Sequence, residues 1–393
     1  MTTDRLSDEF MDSMRQVMDP AADDAVKAIF EQGEVQAVNA LMSELLMNEQ
    51  IVPERLPQSV QQYLENSGKL PDWANPDKIE FAENFFARHG LLISISLFFS
   101  SLPMCYACAK GVQVLHLTAR LHTDAKRRIT ETSQMIINVA CPGGLKPGGS
   151  GVRDAQKVRL LHAAIRYLIL RSEQWDPAWG QPINQEDLAG TLLSFSRIPI
   201  ESLEKFGIAV TPEEADAYLH MWNVAGHILG VRPEMLPDNA DEARQLVAVI
   251  GRRNFEACEA GRAMTGALTE LMEEVVPGTV FRGMPDTMIR FLNGDEIADI
   301  VGVSRQDWTL KLIGPMRRVF GIVEGEQDRS RVLARIGEHF GHAFMEAFCW
   351  IERGKGAPFQ IPDVLREQWG LKPHPGTLMS RLEHLWAEIK RVF

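Results

Sequence analysis

Apolar residues recur at three- and four-residue spacing through most of this 393-residue chain. This spacing places them on one face of a helix. Alternation of apolar and polar residues, which is typical of strands, is scarce, and runs of β-branched residues are short. The pattern therefore predicts an all-α fold. No linker rich in proline, glycine or serine divides the sequence into independent domains.

The net charge of −12 excludes two classes of protein. General nucleic-acid binders neutralise phosphates with clustered lysine and arginine, and polybasic membrane-surface proteins need a similar excess of positive charge. The five cysteines form an odd and sparse set, which is typical of reduced thiols rather than of a disulfide framework. Residues 1–10 contain neither an apolar signal core nor a twin-arginine motif, so the expected location is the cytoplasm.

The segment from Leu91 to Ala109 carries no charged residue and approaches the length of a bilayer span. Serines interrupt it, and Pro103 disfavours a continuous helix. We therefore expect two buried helices joined by a bend at Ser101–Pro103, and association with a membrane is not expected. Besides acidic helices within 7–75 and the helix that contains His162, the predicted helices cover 78–88, 91–101, 104–121, 125–140, 184–193, 212–230, 238–274, 284–293, 294–301, 304–318, 328–352 and 376–392.

The clearest loop is Cys141–Gly151, with five glycines and two prolines. It lacks both the Gly-x-x-x-x-Gly-Lys-Ser/Thr pattern and a preceding strand, so a nucleotide site is not predicted. The helix after this loop contains one polar residue of special interest, His162. Its apolar stripe consists of Val158, Leu161, Ile165, Leu168 and Ile169. His162 falls inside that stripe, with Arg159 and Arg166 at the edge.

A histidine that faces a core needs a partner, because a buried polar group without one is costly. For His162 the partner is either a backbone carbonyl or a metal ion. Haem iron is the metal that needs only one ligand from the protein. Spacing alone leaves both alternatives open.

Arg128 and Thr132 lie four residues apart on the preceding helix and share a face with Met135 and Val139. An arginine and a hydroxyl over an apolar surface can orient a polar ligand such as dioxygen or a haem propionate. The alternative explanation of this spacing is a solvent-exposed helix face, on which Glu131 forms a salt bridge with a neighbouring arginine.

His220 and His227 are two helical turns apart, about 10 Å of rise, which is too far to share one metal ion. Their spacing favours two structural histidines.

Six segments together resemble one family in their order and spacing. They are Ser101-Leu102-Pro103-Met104-Cys105-Tyr106-Ala107, Thr118-Ala119-Arg120-Leu121, Arg128-x-x-x-Thr132, Val158-Arg159-Leu160-x-His162-Ala163-x-x-Arg166, Asn184-Gln185-Glu186-Asp187-Leu188 and Tyr218-Leu219-His220-x-Trp222-x-x-x-Gly226-His227-x-Leu229-Gly230. Each segment alone is unspecific. In combination, over residues 80–235 above all, they resemble the latex-clearing-protein and MpaB-type oxygenases.

The resemblance implies an all-α protein with a globin-like helical core, additional N- and C-terminal helices and non-covalent haem b. It implies that His162 is the axial ligand of the iron, and that Arg128 and Thr132 lie on the distal side. The candidate cofactor-binding residues besides His162 are Arg128, Arg159, Arg166 and His227. The expected domains are an N-terminal helical extension (1–75), a haem-binding domain (76–345) and a C-terminal helical extension on the same core (346–393).

Characterised members of the family cleave carbon–carbon double bonds of isoprenoid chains with dioxygen. The expected function is therefore that of a haem-dependent oxygenase whose partners are dioxygen, a small unsaturated apolar substrate and an external electron donor. A non-catalytic carrier of haem or of an apolar ligand, or a gas sensor, is the alternative on the same scaffold.

Two departures from the family pattern bear on the mechanism. A lysine that can cap the distal iron in rubber-cleaving members falls at Glu131, which makes Glu131 a candidate proton acceptor. The distal glutamate of those members is expected near Gly111–Gln113, where the sequence has no carboxylate. Secreted rubber oxygenases carry an export signal, and residues 1–10 of this sequence show none. The expected substrate is therefore a smaller intracellular isoprenoid or unsaturated lipid instead of polymeric rubber.

Overall fold

The computed structural model of the protein describes residues 3–31, 58–118, 125–275 and 283–305. Regular structure within these ranges is helical, apart from one antiparallel bridge between Cys108 and Phe255. The all-α prediction is therefore confirmed. The expected C-terminal extension (346–393) and the helices expected over 304–318, 328–352 and 376–392 lie wholly or almost wholly outside the described residues.

The described α-helices are α1 (Asp8–Arg15), α2 (Pro20–Glu31), α3 (Gln58–Ser67), α4 (Pro76–Ser96), α5 (Leu102–Ala107), α6 (Val112–Thr118), α7 (Ala125–Ala140), α8 (Ser150–Arg171), α9 (Gln185–Lys205), α10 (Pro212–Ile228), α11 (Ala240–Asn254), α12 (Glu259–Val275) and α13 (Met284–Ile300). Several begin at a side chain that accepts a hydrogen bond from a first-turn backbone N–H, as the sequence signals predict. These N-cap residues are Ser7, Asn75, Asn184, Thr211 and Asn239.

Helices α4, α9 and α10 form the centre of the main core. The Phe85 and Tyr218 rings lie 5.5 Å apart, and Phe195 of α9 packs on Trp222 of α10 at 5.2 Å. Near the start of α10, Glu214 accepts a 2.8 Å hydrogen bond from Arg88 of α4. A smaller apolar cluster, separate from this core, joins α2 and α3 to one face of α8. Helix α8 therefore lies between two apolar clusters.

Two pairs of predicted helix boundaries differ from the structure for one tertiary reason. The helices expected over 104–121 and 238–274 are each broken, at residues 108–111 and 255–258. These breaks pair with each other: the N–H of Ala109 donates to Asn254 at 2.9 Å, and that of Glu256 donates to Ala107 at 3.1 Å. Contacts between segments so distant in sequence leave no periodic signal in either one.

The apolar segment 91–109 continues the helix that begins at Pro76 instead of starting a new one. A π-helical turn, Leu97–Ser101, replaces the expected bend, and α5 begins directly after it. Pro103 therefore follows the π-helical turn inside the helical segment Pro76–Ala107 and does not end it. The segment Pro76–Ala107 is long and apolar enough to cross a membrane, but 78% of its most apolar window is buried in the protein, as in a core helix.

The glycine-rich loop joins α7 to α8 as a tight turn, as predicted. A Cβ atom at Gly151 would lie 2.6 Å from the Val139 Cα and 2.7 Å from the Asn138 carbonyl oxygen. Glycine is therefore required here because the two helix backbones approach closely, and not because a phosphate binds.

Replacing Gly151 by alanine is expected to lower the free energy of unfolding by roughly 1–3 kcal/mol, because the new methyl group meets backbone atoms that cannot move aside easily. Urea unfolding measures the loss. The matched control is Gly266→Ala in α12, where no atom lies within 4 Å of the new Cβ. That substitution should stabilise the protein by about 0.5–1 kcal/mol through helix propensity. Equal effects of the two substitutions would contradict the close-approach explanation.

Candidate functional site

His162 lies on the face of α8 that is directed at the main core. Its neighbours on this face, Val158, Ile165 and Ile169, all pack against the main cluster, as the sequence predicts. Two members of the predicted stripe differ: Leu161 belongs to neither apolar cluster, and Leu168 is 56% exposed. Both lie towards the outer edge of the stripe, about 100° or more around the helix from His162.

The imidazole of His162 has no hydrogen-bond partner among the described residues. Its Nδ1 is fully shielded and unpaired, so no described residue provides the backbone carbonyl that was one of the two alternatives for its partner. Burial, aided by the charge of Arg166, lowers the pKa of His162 from 6.5 to about 4, so the ring is neutral at physiological pH. The residue nevertheless remains partly accessible.

Arg159 and Arg166 lie three residues before and four residues after His162. Arg159 forms two hydrogen bonds with Asp19, at 2.6 and 2.8 Å, and one with the Ile228 carbonyl at 3.2 Å. Arg166 is almost fully buried, yet its Nη2 has no acceptor within residues 3–31, 58–118, 125–275 and 283–305. His162 and Arg166 therefore present two shielded, unpaired nitrogen atoms on neighbouring turns of one helix.

Helix α7, which carries Arg128 and Thr132, packs against α8. At the loop end the close approach of Val139 and Gly151 brings the helices together. Arg128 lies eleven residues before Val139, and His162 lies eleven residues after Gly151. Because the helical rise over eleven residues is the same, the backbones of Arg128 and His162 lie at about the same height along the packed pair of helices. The side chain of Arg128 lies outside the described residues.

Glu131 and Thr132 are partly buried on α7. Met135 and Val139, by contrast, are packed in the main core. Both side chains are therefore covered by the protein itself. Apolar side chains that stay only partly covered occur instead on α5, α6, α7 and α8. They include Leu102, Met104, Leu115, Ile129, Val158 and Ile165.

His227 and His220 both contact Trp73, edge to face, with ring centroids 6.1 and 5.7 Å away. The Nε2 of His220 also accepts a 2.9 Å hydrogen bond from the backbone N–H of Asn75. Burial lowers the pKa of both histidines, and Arg159 contributes at His227. These contacts match the structural role that their spacing favours. The electrostatic effect of Arg159 also places His227 in the neighbourhood of the His162 helix.

A carboxylate does lie beside Gly111, although the sequence around that position has none. It comes from Asp187 in the first turn of α9: a Cβ atom at Gly111 would be 3.2 Å from its Oδ1. Asp187 accepts hydrogen bonds from Arg15 at 3.3 Å and from the Asn184 amide at 2.8 Å. Burial raises its pKa to about 6 against the opposing charge of Arg15, and the nearby Glu186 adds to the increase. Only the fold brings these distant positions together.

The pKa of Asp187 predicts a pH-dependent stability. Between pH 4 and 6 the folded protein keeps a proton that the unfolded chain has released, so ionisation on raising the pH costs stability. Asp187→Asn should remove this cost. The difference in unfolding free energy between the variant and wild type should therefore shift by about 2–3 kcal/mol in favour of the variant as the pH is raised from 4 to 7. Urea unfolding at a series of pH values measures it, with the exposed Asp72→Asn as control. Parallel pH profiles for wild type and Asp187→Asn would contradict this assignment.

Three charged residues of the N-terminal segment were not identified from the sequence: Arg15, Asp19 and Asp23. Arg15 bonds Glu186 and Asn254 at 3.0 Å each. Asp23 accepts a 2.7 Å hydrogen bond from the Nε of Arg166. The only local signal was an aspartate before a proline and another in the next turn, which is also the ordinary pattern of a helix N-terminus.

Most of the chain is similar to known proteins. Residues 99–324 match the family described as "ER-bound oxygenase mpaB/B'/Rubber oxygenase, catalytic domain". The chain is 28% identical over 300 residues to the rubber oxygenase of Streptomyces sp. (strain K30), covering 76% of this chain and 73% of that protein. A solved structure, "Structure of Latex Clearing Protein LCP in the closed state", superposes with a TM-score of 0.70 at 26% identity, covering 89% of this chain and 95% of the other. The chain therefore belongs to the MpaB and rubber oxygenase catalytic-domain family.

Proposed function

We propose that this protein is a haem-b-dependent oxygenase that acts with dioxygen on an unsaturated, isoprenoid-like substrate in the cytoplasm. The observation that carries the proposal is His162, a neutral imidazole on a core-facing helix that has no hydrogen-bond partner in the described part of the chain. Membership of an oxygenase family supports the same conclusion.

The residues around His162 fit a haem group. A neutral imidazole is the protonation state that binds iron, and burial keeps His162 neutral. Val158 and Ile165, on the same face of α8 as His162, are only partly covered by the main core and leave apolar surface beside the imidazole. A purely structural histidine would be expected to form a hydrogen bond in this setting.

When bound, haem would supply the redox chemistry through which dioxygen reacts with a double bond. His162 would hold the iron through its imidazole. Arg128 and Thr132 on α7 would donate hydrogen bonds to the reacting dioxygen and stabilise the negative charge that develops on it. Glu131, on the same helix, is the proposed proton acceptor. Arg159, Arg166 and His227 would form the polar edge of the cofactor site.

The proposed reaction is oxidative cleavage of a carbon–carbon double bond. One alkene and one dioxygen give two carbonyl groups, so this reaction needs no net electrons from outside. Transfer of only one oxygen atom would instead require two electrons and two protons from an external donor, with water as the second product. The ratio of carbonyl product to dioxygen consumed therefore distinguishes the two reactions.

The test is incubation of the haem-loaded protein with short isoprenoids under oxygen, with and without a reductant. We expect dioxygen consumption and two carbonyl groups per dioxygen, without a need for continuous reduction. Tight binding of haem and isoprenoid without any product would overturn the oxygenase proposal and support the carrier function instead. Reversible binding of dioxygen or carbon monoxide as the sole response would support a gas sensor.

A further inference from the structure

Two carboxylates from the N-terminal part of the chain reach the helix that carries His162. Asp19 forms a two-point ion pair with Arg159, at 2.6 and 2.8 Å. Asp23 pairs with the Nε of Arg166 at 2.7 Å. Both arginines are largely buried, with side-chain exposures of 13% and 2%. These are buried ion pairs, and each guanidinium would be strongly destabilised without its carboxylate.

The two pairs flank His162 on α8. Arg159 precedes it by three residues and Arg166 follows it by four, so all three side chains leave neighbouring turns of the helix on adjoining faces. Two guanidinium groups at this position would, by themselves, oppose any positive charge held by the imidazole. Asp19 neutralises the charge of Arg159, and Asp23 neutralises that of Arg166.

The segment that supplies these carboxylates, residues 15–23, is held in place independently. The backbone N–H of Gln185 donates to the Val17 carbonyl at 3.0 Å, and the side chain of Gln185 donates to Met18 at 3.1 Å. Asp23 also accepts a 3.1 Å hydrogen bond from the backbone N–H of Asp19, which fixes the Asp23 carboxylate against the start of α2. Helix α2 then packs its apolar face on α8, with the Phe30 and Tyr167 rings stacked at 4.2 Å.

We propose that Asp19 and Asp23 are positioning residues of the cofactor site: they hold Arg159 and Arg166 beside His162 and neutralise them, so that the imidazole can retain a cationic iron centre. This inference rests on the proposed haem-dependent function. The two residues precede the part of the chain that matches the family, 99–324, so the family match does not assign them this role.

Asp19→Asn and Asp23→Asn test the inference, because each removes the charge while it keeps the size of the side chain. The measurement is transfer of haem from the loaded protein to excess apomyoglobin, followed by absorbance. We expect release to be roughly tenfold faster or more, the effect typical of losing an outer-shell partner of a metal ligand. The matched control is Asp24→Asn, which changes an exposed aspartate next to Asp23 and should release haem at the wild-type rate.

A second measurement separates positioning from simple loss of stability. Without a neutralising carboxylate, the remaining guanidinium charge disfavours the oxidised, more positive iron, so the midpoint potential of each variant should shift to a more positive value. In an Arg166→Met background, Asp23→Asn should have no further effect on haem release, because its target is gone.

Unchanged haem release in both asparagine variants would overturn the inference and leave the oxygenase proposal intact. An additive effect of Asp23→Asn in the Arg166→Met background, with no shift in potential, would also overturn it, because the residue would then act on stability alone. A wild-type protein that takes up no haem would overturn the proposed function and this inference together.

Discussion

The substitution His162→Ala is expected to give a folded protein that binds no haem and has no oxygenase activity. The imidazole is the only metal ligand that the site offers on this face of α8 among the described residues, and alanine cannot replace it. Absorption spectra of the purified variant should lack the Soret band of the wild type, and carbonyl formation from short isoprenoids should fall to the level without enzyme.

The stability of the haem-free variant should be little changed. A structural histidine would lose its hydrogen bonds on replacement, but the shielded Nδ1 of His162 has none to lose. Removal of this unpaired buried nitrogen is favourable and offsets part of the cost of the small cavity that alanine leaves. The free energies of unfolding of haem-free wild type and haem-free His162→Ala, measured with urea, should therefore agree within about 1–2 kcal/mol. His116→Ala, at an exposed position of α6, is the control and should retain haem and activity. A haem-loaded, active His162→Ala protein would show that another residue binds the iron.

Arg15→Met is expected to destabilise the protein by roughly 3–5 kcal/mol, because removal of one partner leaves a buried charge uncompensated. Arg15 is 5% exposed, and its main partner, Glu186, is 0% exposed. Glu186 keeps its bonds to Arg253 at 3.0 Å and to Asn254 at 2.8 Å, but the charge balance of the network is lost. The same arginine ties α1 to the first turn of α9, so the N-terminal segment should loosen as well.

Urea unfolding at equal haem saturation measures this loss, since bound ligand itself raises apparent stability. The control is Arg244→Ala, which breaks a surface pair with Asp241 whose side chains are 60% and 76% exposed. Exposed pairs contribute at most about 1 kcal/mol, so the control should unfold at nearly the wild-type urea concentration. Similar losses for Arg15→Met and Arg244→Ala would show that the buried network carries no special stability.

The sequence predicted those helix ends that are determined by residues close by in the chain. Helix α7 begins and ends at the predicted residues 125 and 140, and α10 begins at the capping box formed by Thr211 and Glu214. The break predicted within 284–301 is also present, because Gly294 adopts a positive φ of 79°. These features depend on neighbours in the chain, and their signals are visible in the sequence.

Features that depend on distant contacts were missed or misplaced. The helix breaks at Cys108 and Phe255 arise from pairing between segments about 150 residues apart. The same holds for the candidate site: His162 was identified because it interrupts an apolar stripe, whereas Asp19 and Asp187 reach their partners only through the fold. Neither carboxylate has a distinctive local pattern, so no reading of residue spacing could select it.

The most direct test of this account is the haem content of the purified wild-type protein, measured by absorption spectroscopy and a pyridine haemochrome assay after expression with ample haem. We expect close to one haem b per chain, with a Soret band that responds to carbon monoxide after reduction. A protein that stays colourless, and remains so after incubation with excess haem, would contradict the central claim that His162 binds a haem iron.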